Sequence, residues 1–240
     1  MTTATELMAL DKKLRQELPE EFREGIHLVQ LYAATHYEPA LNEMNAFRLI
    51  RDAEDLPLDT ELILSVYRAL TEDTEAECRG WKPRNCHVKC MDSFYIPATW
   101  EETPSAMEAL CGKYRYLGER PEAVCGDPGS DKDADARLDD ICRFLLEFAC
   151  IHPMLDGNGR LSVLIGQYLL QQAGYSCAVY TPWDCILKLR HSNEHFFHII
   201  RASGICYGMK PLEDDLFVPF MKDTLAEAYH CLETAIRRCP

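Results

Sequence analysis

The chain has 240 residues, 47% of them hydrophobic, enough for one large core or two small ones. Its 39 acidic and 25 basic side chains leave a formal charge of -14 and no basic stripe to neutralise phosphates, so no nucleic-acid partner is expected. No apolar run approaches the roughly 20 residues that span a bilayer, and the segment Met1-Thr2-Thr3-Ala4-Thr5-Glu6 lacks the layout of a secretory signal; the expectation is a cytoplasmic protein with no membrane partner.

Helical spacing dominates from the start. Leu7, Leu10 and Leu14 mark a short first helix that Pro19 stops. A second is predicted from about Glu20 to Tyr37, with Phe22, Ile26, Val29 and Ala33 on one face, and a third near Asn42, carrying Met44, Phe47 and Ile50. Asp59 is placed to cap a fourth, in which Leu62, Ile63, Val66, Tyr67 and Leu70 recur. From Glu77 to Trp100 the pattern changes to short strands or a hairpin, with Val88, Phe94, Tyr95 and Ile96 among turn residues. A helix near Ser105–Tyr116 follows, then the loop Gly126-Asp127-Pro128-Gly129-Ser130-Asp131. Leu138, Ile141, Cys142, Leu145 and Phe148 give the next helix, and two more are predicted at Ser192–Ser203 and Leu216–Arg238. There is no internal repeat and no low-complexity linker, so the simplest account is an all-α domain with a small β-hairpin.

The 12 cysteines are scattered from Cys78 to Cys239. Cys78, Cys86, His87 and Cys90 form the one cluster with ligand-like spacing, but it lacks the paired knuckles of a zinc site; reduced, inert thiols are expected.

Chemistry concentrates in His152-Pro153-Met154-Leu155-Asp156-Gly157-Asn158-Gly159-Arg160-Leu161. Leu161, Leu164, Ile165, Tyr168 and Leu169 then recur at helical spacing, so Arg160 sits at a helix start, where unpaired N–H groups and the dipole favour anions. Gly157 and Gly159 let the backbone approach a ligand closely. The unperturbed pKa of a histidine lies near neutral pH, so His152 suits a base, and Asp156 suits Mg²⁺. A structural reading stands beside this one: a helix–turn–helix corner capped by Asn158, with His152 at a helix end, Asp156 forming a turn and Arg160 on the surface.

The whole string resembles the signature of the Fic (Fido) family, His-Pro-Phe-x-x-Gly-Asn-Gly-Arg. Gly80, Arg84 and Val88, followed by Phe94-Tyr95-Ile96-Pro97, resemble the family's approach to its β-hairpin flap. The resemblance implies a mainly helical Fic domain over residues 25–210, an N-terminal helical extension at 1–24 and a C-terminal helix at 211–240 packed on the same domain. It implies a protein adenylyltransferase that moves AMP from ATP to a Ser, Thr or Tyr hydroxyl of a target protein docked on the 86–97 flap. In that reading His152 is the general base and Asp156 binds Mg²⁺. Gly157, Asn158 and Gly159 line the anion hole, and Arg160 holds the β-phosphate.

Two positions depart from the family pattern. Met154 replaces Phe and fills similar apolar space. Val163 stands where AMP-transferring members carry a second Arg for the γ-phosphate, which opens the alternative of another donor: a different nucleotide, a phosphoryl group or phosphocholine. Lys188 or Arg190 could substitute for the missing cation, or form a solvated helix face. A non-catalytic interaction module on the same scaffold is the third reading. The segment Pro39-Ala40-Leu41-Asn42-Glu43-Met44-Asn45 keeps a glutamate but not the flanking residues of the family's inhibitory motif. Glu43 is therefore expected to be a first-turn carboxylate, and the usual glutamate inhibition to be absent.

Overall fold

The computed structural model describes residues 2–20, 41–53, 56–72, 74–75, 79–90, 93–120, 131–183, 186–187 and 191–238. The predicted helix beyond Glu20, the 126–130 loop, Cys78, Lys188 and Arg190 lie outside these residues. Eight α-helices are described: α1 Ala4–Glu17, α2 Leu41–Arg51, α3 Thr60–Leu70, α4 Thr103–Lys113, α5 Asp131–Ile151, α6 Asn158–Gln172, α7 Ser192–Ser203 and α8 Phe217–Arg238. Strands β1 (Val88–Cys90) and β2 (Ser93–Tyr95) lie between α3 and α4. The fold is all-α with a small antiparallel hairpin, as the sequence pattern predicts.

α6 is the central element. Leu161, Val163, Ile165, Tyr168, Leu169 and Leu170 are all buried, leaving it almost no polar face, as expected of a helix surrounded by others. It packs on α5, whose Leu138, Ile141, Cys142, Leu145 and Phe148 are buried at helical spacing. Gly166 makes the close crossing possible: a Cβ there would lie 2.8 Å from the Trp183 ring and 3.1 Å from Leu145 Cδ1.

Polar contacts lock the outer helices onto this pair. The Lys222 ammonium of α8 donates to Asp139 at 2.6 Å and Asp135 at 3.3 Å on α5. On α1, the buried Asp11 carboxylate accepts from Tyr229 Oη at 2.7 Å and the Cys177 N–H at 2.8 Å. Asp59 caps α3 as the sequence predicts, accepting from the Leu62 N–H at 2.8 Å. The predicted 105–116 helix splits into α4 and a 3₁₀ turn at Arg115–Gly118.

The hairpin pairs Val88 with Tyr95, Lys89 with Phe94 and Cys90 with Ser93. It is also tied to the far end of α7: Ile96 N–H donates to Ile205 C=O at 2.9 Å, and Tyr207 N–H to Ile96 C=O at 2.8 Å. This link is long-range in sequence, and local patterning gives no sign of it. Among the described residues no helix is long and apolar enough to cross a membrane.

Candidate active site

The site is the connection between α5 and α6, residues 152–157, and nearly every carbonyl in it is held by a defined donor. α5 ends with His152 N–H still donating to Phe148 C=O at 3.0 Å, while His152 itself turns left-handed at φ 49°. That conformation is uncommon for a residue with a Cβ. Lys82, 1% exposed, grips the same stretch. Its ammonium donates to Ile151 C=O at 3.1 Å and His152 C=O at 2.9 Å, and its own N–H to Pro153 C=O at 2.8 Å. Asn158 then closes the loop with two bonds to one residue: its Oδ1 accepts from the Met154 N–H and its Nδ2 donates to Met154 C=O, both at 2.9 Å. Finally Tyr67, buried on α3, donates its hydroxyl to Asp156 C=O at 2.9 Å.

The chain enters α6 through Gly157, which is left-handed at φ 80°. No side chain caps this helix, so the N–H groups of Asn158 and Gly159 have no acceptor within it. The capped-corner reading needs correcting on this point: Asn158 is the first residue of α6, and its side chain closes the preceding loop. Gly159 has nothing within 4 Å of its would-be Cβ, so the helix end lies open to an approaching group.

These residues line a cavity of about 510 Å³, within the range of small-molecule sites. His152, Asp156, Gly157, Asn158, Gly159 and Arg160 all border it. Val88 and Tyr95 of the hairpin form one wall, and Ser192, His195, Phe196 and Ile199 of α7 another. Burial pushes the His152 imidazole down to about 4, helped by the Lys82 ammonium and opposed by Asp156. His152 is therefore neutral at physiological pH, as a base must be. His195 is also pushed down to about 4 by burial, and it packs against Phe217 with ring centroids 5.6 Å apart.

Arg160 reaches two carboxylates. Its Nη1 donates to Glu43 Oε1 on α2 at 3.0 Å, and its Nη2 lies 3.7 Å from Asp156 Oδ2. Glu43 does sit in the first turn of its helix, as expected, but it also meets the cation of the motif. The Asp156 side chain is 89% exposed at the cavity mouth. Among the described residues no group of three or more His, Cys, Asp or Glu side chains could hold a metal alone. One accessible carboxylate beside an uncapped helix N-terminus nevertheless fits Mg²⁺, which is commonly held by one or two carboxylates together with substrate phosphates.

The sequence reading did not single out Lys82, the Tyr67 hydroxyl bond or the α7 wall. Ser192, His195, Phe196 and Ile199 follow i, i+3, i+4, i+7 spacing, so a shared face was readable, but not what it faces. Nothing local distinguishes Lys82, between Trp81 and Pro83, from a surface lysine.

The Fic/DOC family model matches residues 57–170. The structure is similar to that of a Fic family protein from Desulfovibrio desulfuricans G20, with 17% identity, a TM-score of 0.63 and coverage of 99% of this chain and 76% of that one. It is equally similar to a Fic domain containing signaling protein from Bacteroides thetaiotaomicron VPI-5482, with 17% identity, a TM-score of 0.63 and coverage of 98% and 96%. No curated protein matches the chain. The family match over residues 57–170 and the fold shared with these two structures agree in making the chain similar to the Fic/DOC family.

Proposed function

We propose that this chain is a Fic-type transferase that moves AMP from ATP to a Ser, Thr or Tyr hydroxyl of a target protein. The observation that carries the reading is the convergence of a neutral imidazole, an open helix N-terminus and an arginine on one cavity. In-line displacement at phosphorus is served by positioning and charge stabilisation, which is what these groups supply.

In this mechanism His152 removes the proton from the target hydroxyl as its oxygen bonds to the α-phosphorus. The bond from that phosphorus to the bridging oxygen breaks, and pyrophosphate leaves with the electron pair. The N–H groups of Asn158 and Gly159 stabilise the α-phosphate oxygens, and Arg160 holds the β-phosphate in a planar fork. Gly157 contributes through its left-handed turn, which orients the helix end. Asp156 would hold Mg²⁺, which when bound neutralises phosphate charge. Phe196, Ile199 and Leu187 give the cavity the apolar wall that a nucleobase needs. The target would lie along the 86–97 flap, pairing its backbone with β1, which has no partner but β2 among the described residues.

One observation favours a second reading. Val163, 3% exposed, borders the cavity, and Arg160 is its only Lys or Arg among the described residues. A donor with two phosphates, passing on another phosphate-containing group, would suit this lining. Parallel reactions with ATP labelled at the α- or the γ-phosphate, in a cell lysate with Mg²⁺, distinguish the cases. Label on protein from the α-position alone supports AMP transfer. Label from the γ-position alone indicates phosphoryl transfer, and none from either indicates a different donor.

A further inference from the structure

The last carbonyls of an α-helix point out of its C-terminus and carry partial negative charge. The common way to end a helix is a glycine in the left-handed conformation, whose freedom from a Cβ makes the turn inexpensive. In α5 that position is taken by His152, at φ 49°, and the side chain that glycine lacks is the one bordering the cavity. Something else has to hold the turn. Three successive carbonyls, of Ile151, His152 and Pro153, all accept from one residue, Lys82. A buried ammonium is costly to desolvate, and the hydrogen-bond acceptors of this one are two main-chain carbonyls rather than a carboxylate. Apolar packing would fill the same space at lower cost, so stability alone does not account for a lysine here.

We propose that Lys82 is the positioning residue of His152, its ammonium clamping the end of α5 so that the imidazole is held in the left-handed turn facing the cavity. The inference rests on His152 acting as the base. The charged and titratable groups around the pair are few. Lys82 and Asp156 act on His152, while Cys86 and Glu102 act on Lys82. Burial and the neighbouring cation both favour the neutral imidazole, so the clamp also keeps the base ready to accept a proton.

The test uses the full chain with Lys82→Met, which removes both charge and donor, and Lys82→Gln, which keeps a donor. For Lys82→Met the transfer rate constant is expected to fall about 30-fold, with donor KM unchanged within about two-fold. Lys82→Gln is expected to retain a substantial part of the activity. Histidine-labelled protein followed by NMR, with the His152 signal assigned from His152→Ala, supplies a readout that needs no donor. In both variants the His152 midpoint is expected to rise from about 4 toward the ordinary 6.5. Wild-type kinetics and an unmoved His152 titration in Lys82→Met would overturn the proposal. If that variant does not fold, an unmoved titration in Lys82→Gln overturns it alone. Absence of transfer by the wild type with every donor would refute the proposed reaction, while the NMR titration would still decide the role of Lys82.

Discussion

Arg160 and Glu43 lie 117 residues apart in sequence and meet at 3.0 Å, joining the first turn of α6 to the first turn of α2. The guanidinium proposed to hold a donor phosphate thus already has a carboxylate partner. Glu43 is 12% exposed in its side chain and Arg160 27%, so water screens the pair only partly. An incoming diphosphate has to compete with Glu43 for the same fork. The resemblance leads to no expectation of an inhibitory glutamate here, yet Glu43 reaches Arg160 from α2.

Replacing Glu43 with Gln is expected to lower donor KM about five-fold, or ~1 kcal/mol, the scale of a charged hydrogen bond partly screened by solvent. Initial rates over a donor titration measure this. A rise in KM would show instead that Glu43 orients Arg160 for binding.

Acid is expected to leave the base competent over an unusually wide range. The neutral form of His152 takes the proton, and a midpoint near 4 means that this form persists well below pH 6. Transfer rate at saturating donor should therefore be flat from pH 8 to about 6 and fall only as pH approaches the folded-state midpoint. A profile already halved at pH 6.5 would mean that the imidazole is far more hydrated than its burial implies.

Val163 leads to a prediction about affinity. With Arg160 the only Lys or Arg bordering the cavity among the described residues, a third phosphate finds no additional cation there. ADP and ATP are expected to bind within about three-fold of each other, since a charged contact would be worth roughly ten-fold or more. Calorimetric titration of the two nucleotides decides this. A strong ATP preference would point to a further cation, with Lys188 and Arg190 the first to replace.

Asn158→Ala is expected to destabilise the fold as well as slow transfer. It leaves the Met154 N–H and C=O, both buried, without their partner, a loss of about 2–3 kcal/mol. Urea unfolding of the variant measures the stability cost. An unchanged midpoint with reduced transfer would mean that the amide acts on the ligand rather than on the loop.

The predicted spans of α7 and α8 agree with the structure to within one residue, and helical spacing marks the buried faces of α1, α3 and α5, though for α5 only from Leu138 to Phe148 of a helix that runs from Asp131 to Ile151. The motif was legible for a different reason: its proposed functional groups lie within nine residues of one another, from His152 to Arg160, so a short string carries most of the constellation. What sequence could not show is everything joined across long separations. Lys82 meets His152 from 70 residues away, Tyr67 meets Asp156 from 89, and Ile96 bridges to the Cys206 segment. Asn158 illustrates the limit within the motif itself. Its place at the helix start was readable, but its side chain turns back to Met154 rather than capping the helix.

His152 is proposed to take the proton from the hydroxyl that attacks a donor phosphate. Wild type and His152→Ala, incubated with α-phosphate-labelled ATP, Mg²⁺ and whole-cell lysate, test this role most directly, with self-modification scored in the same reaction. A labelled protein band made by the wild type and lost in the variant, with nucleotide affinity retained, is the predicted result. Equal labelling by both proteins would contradict it.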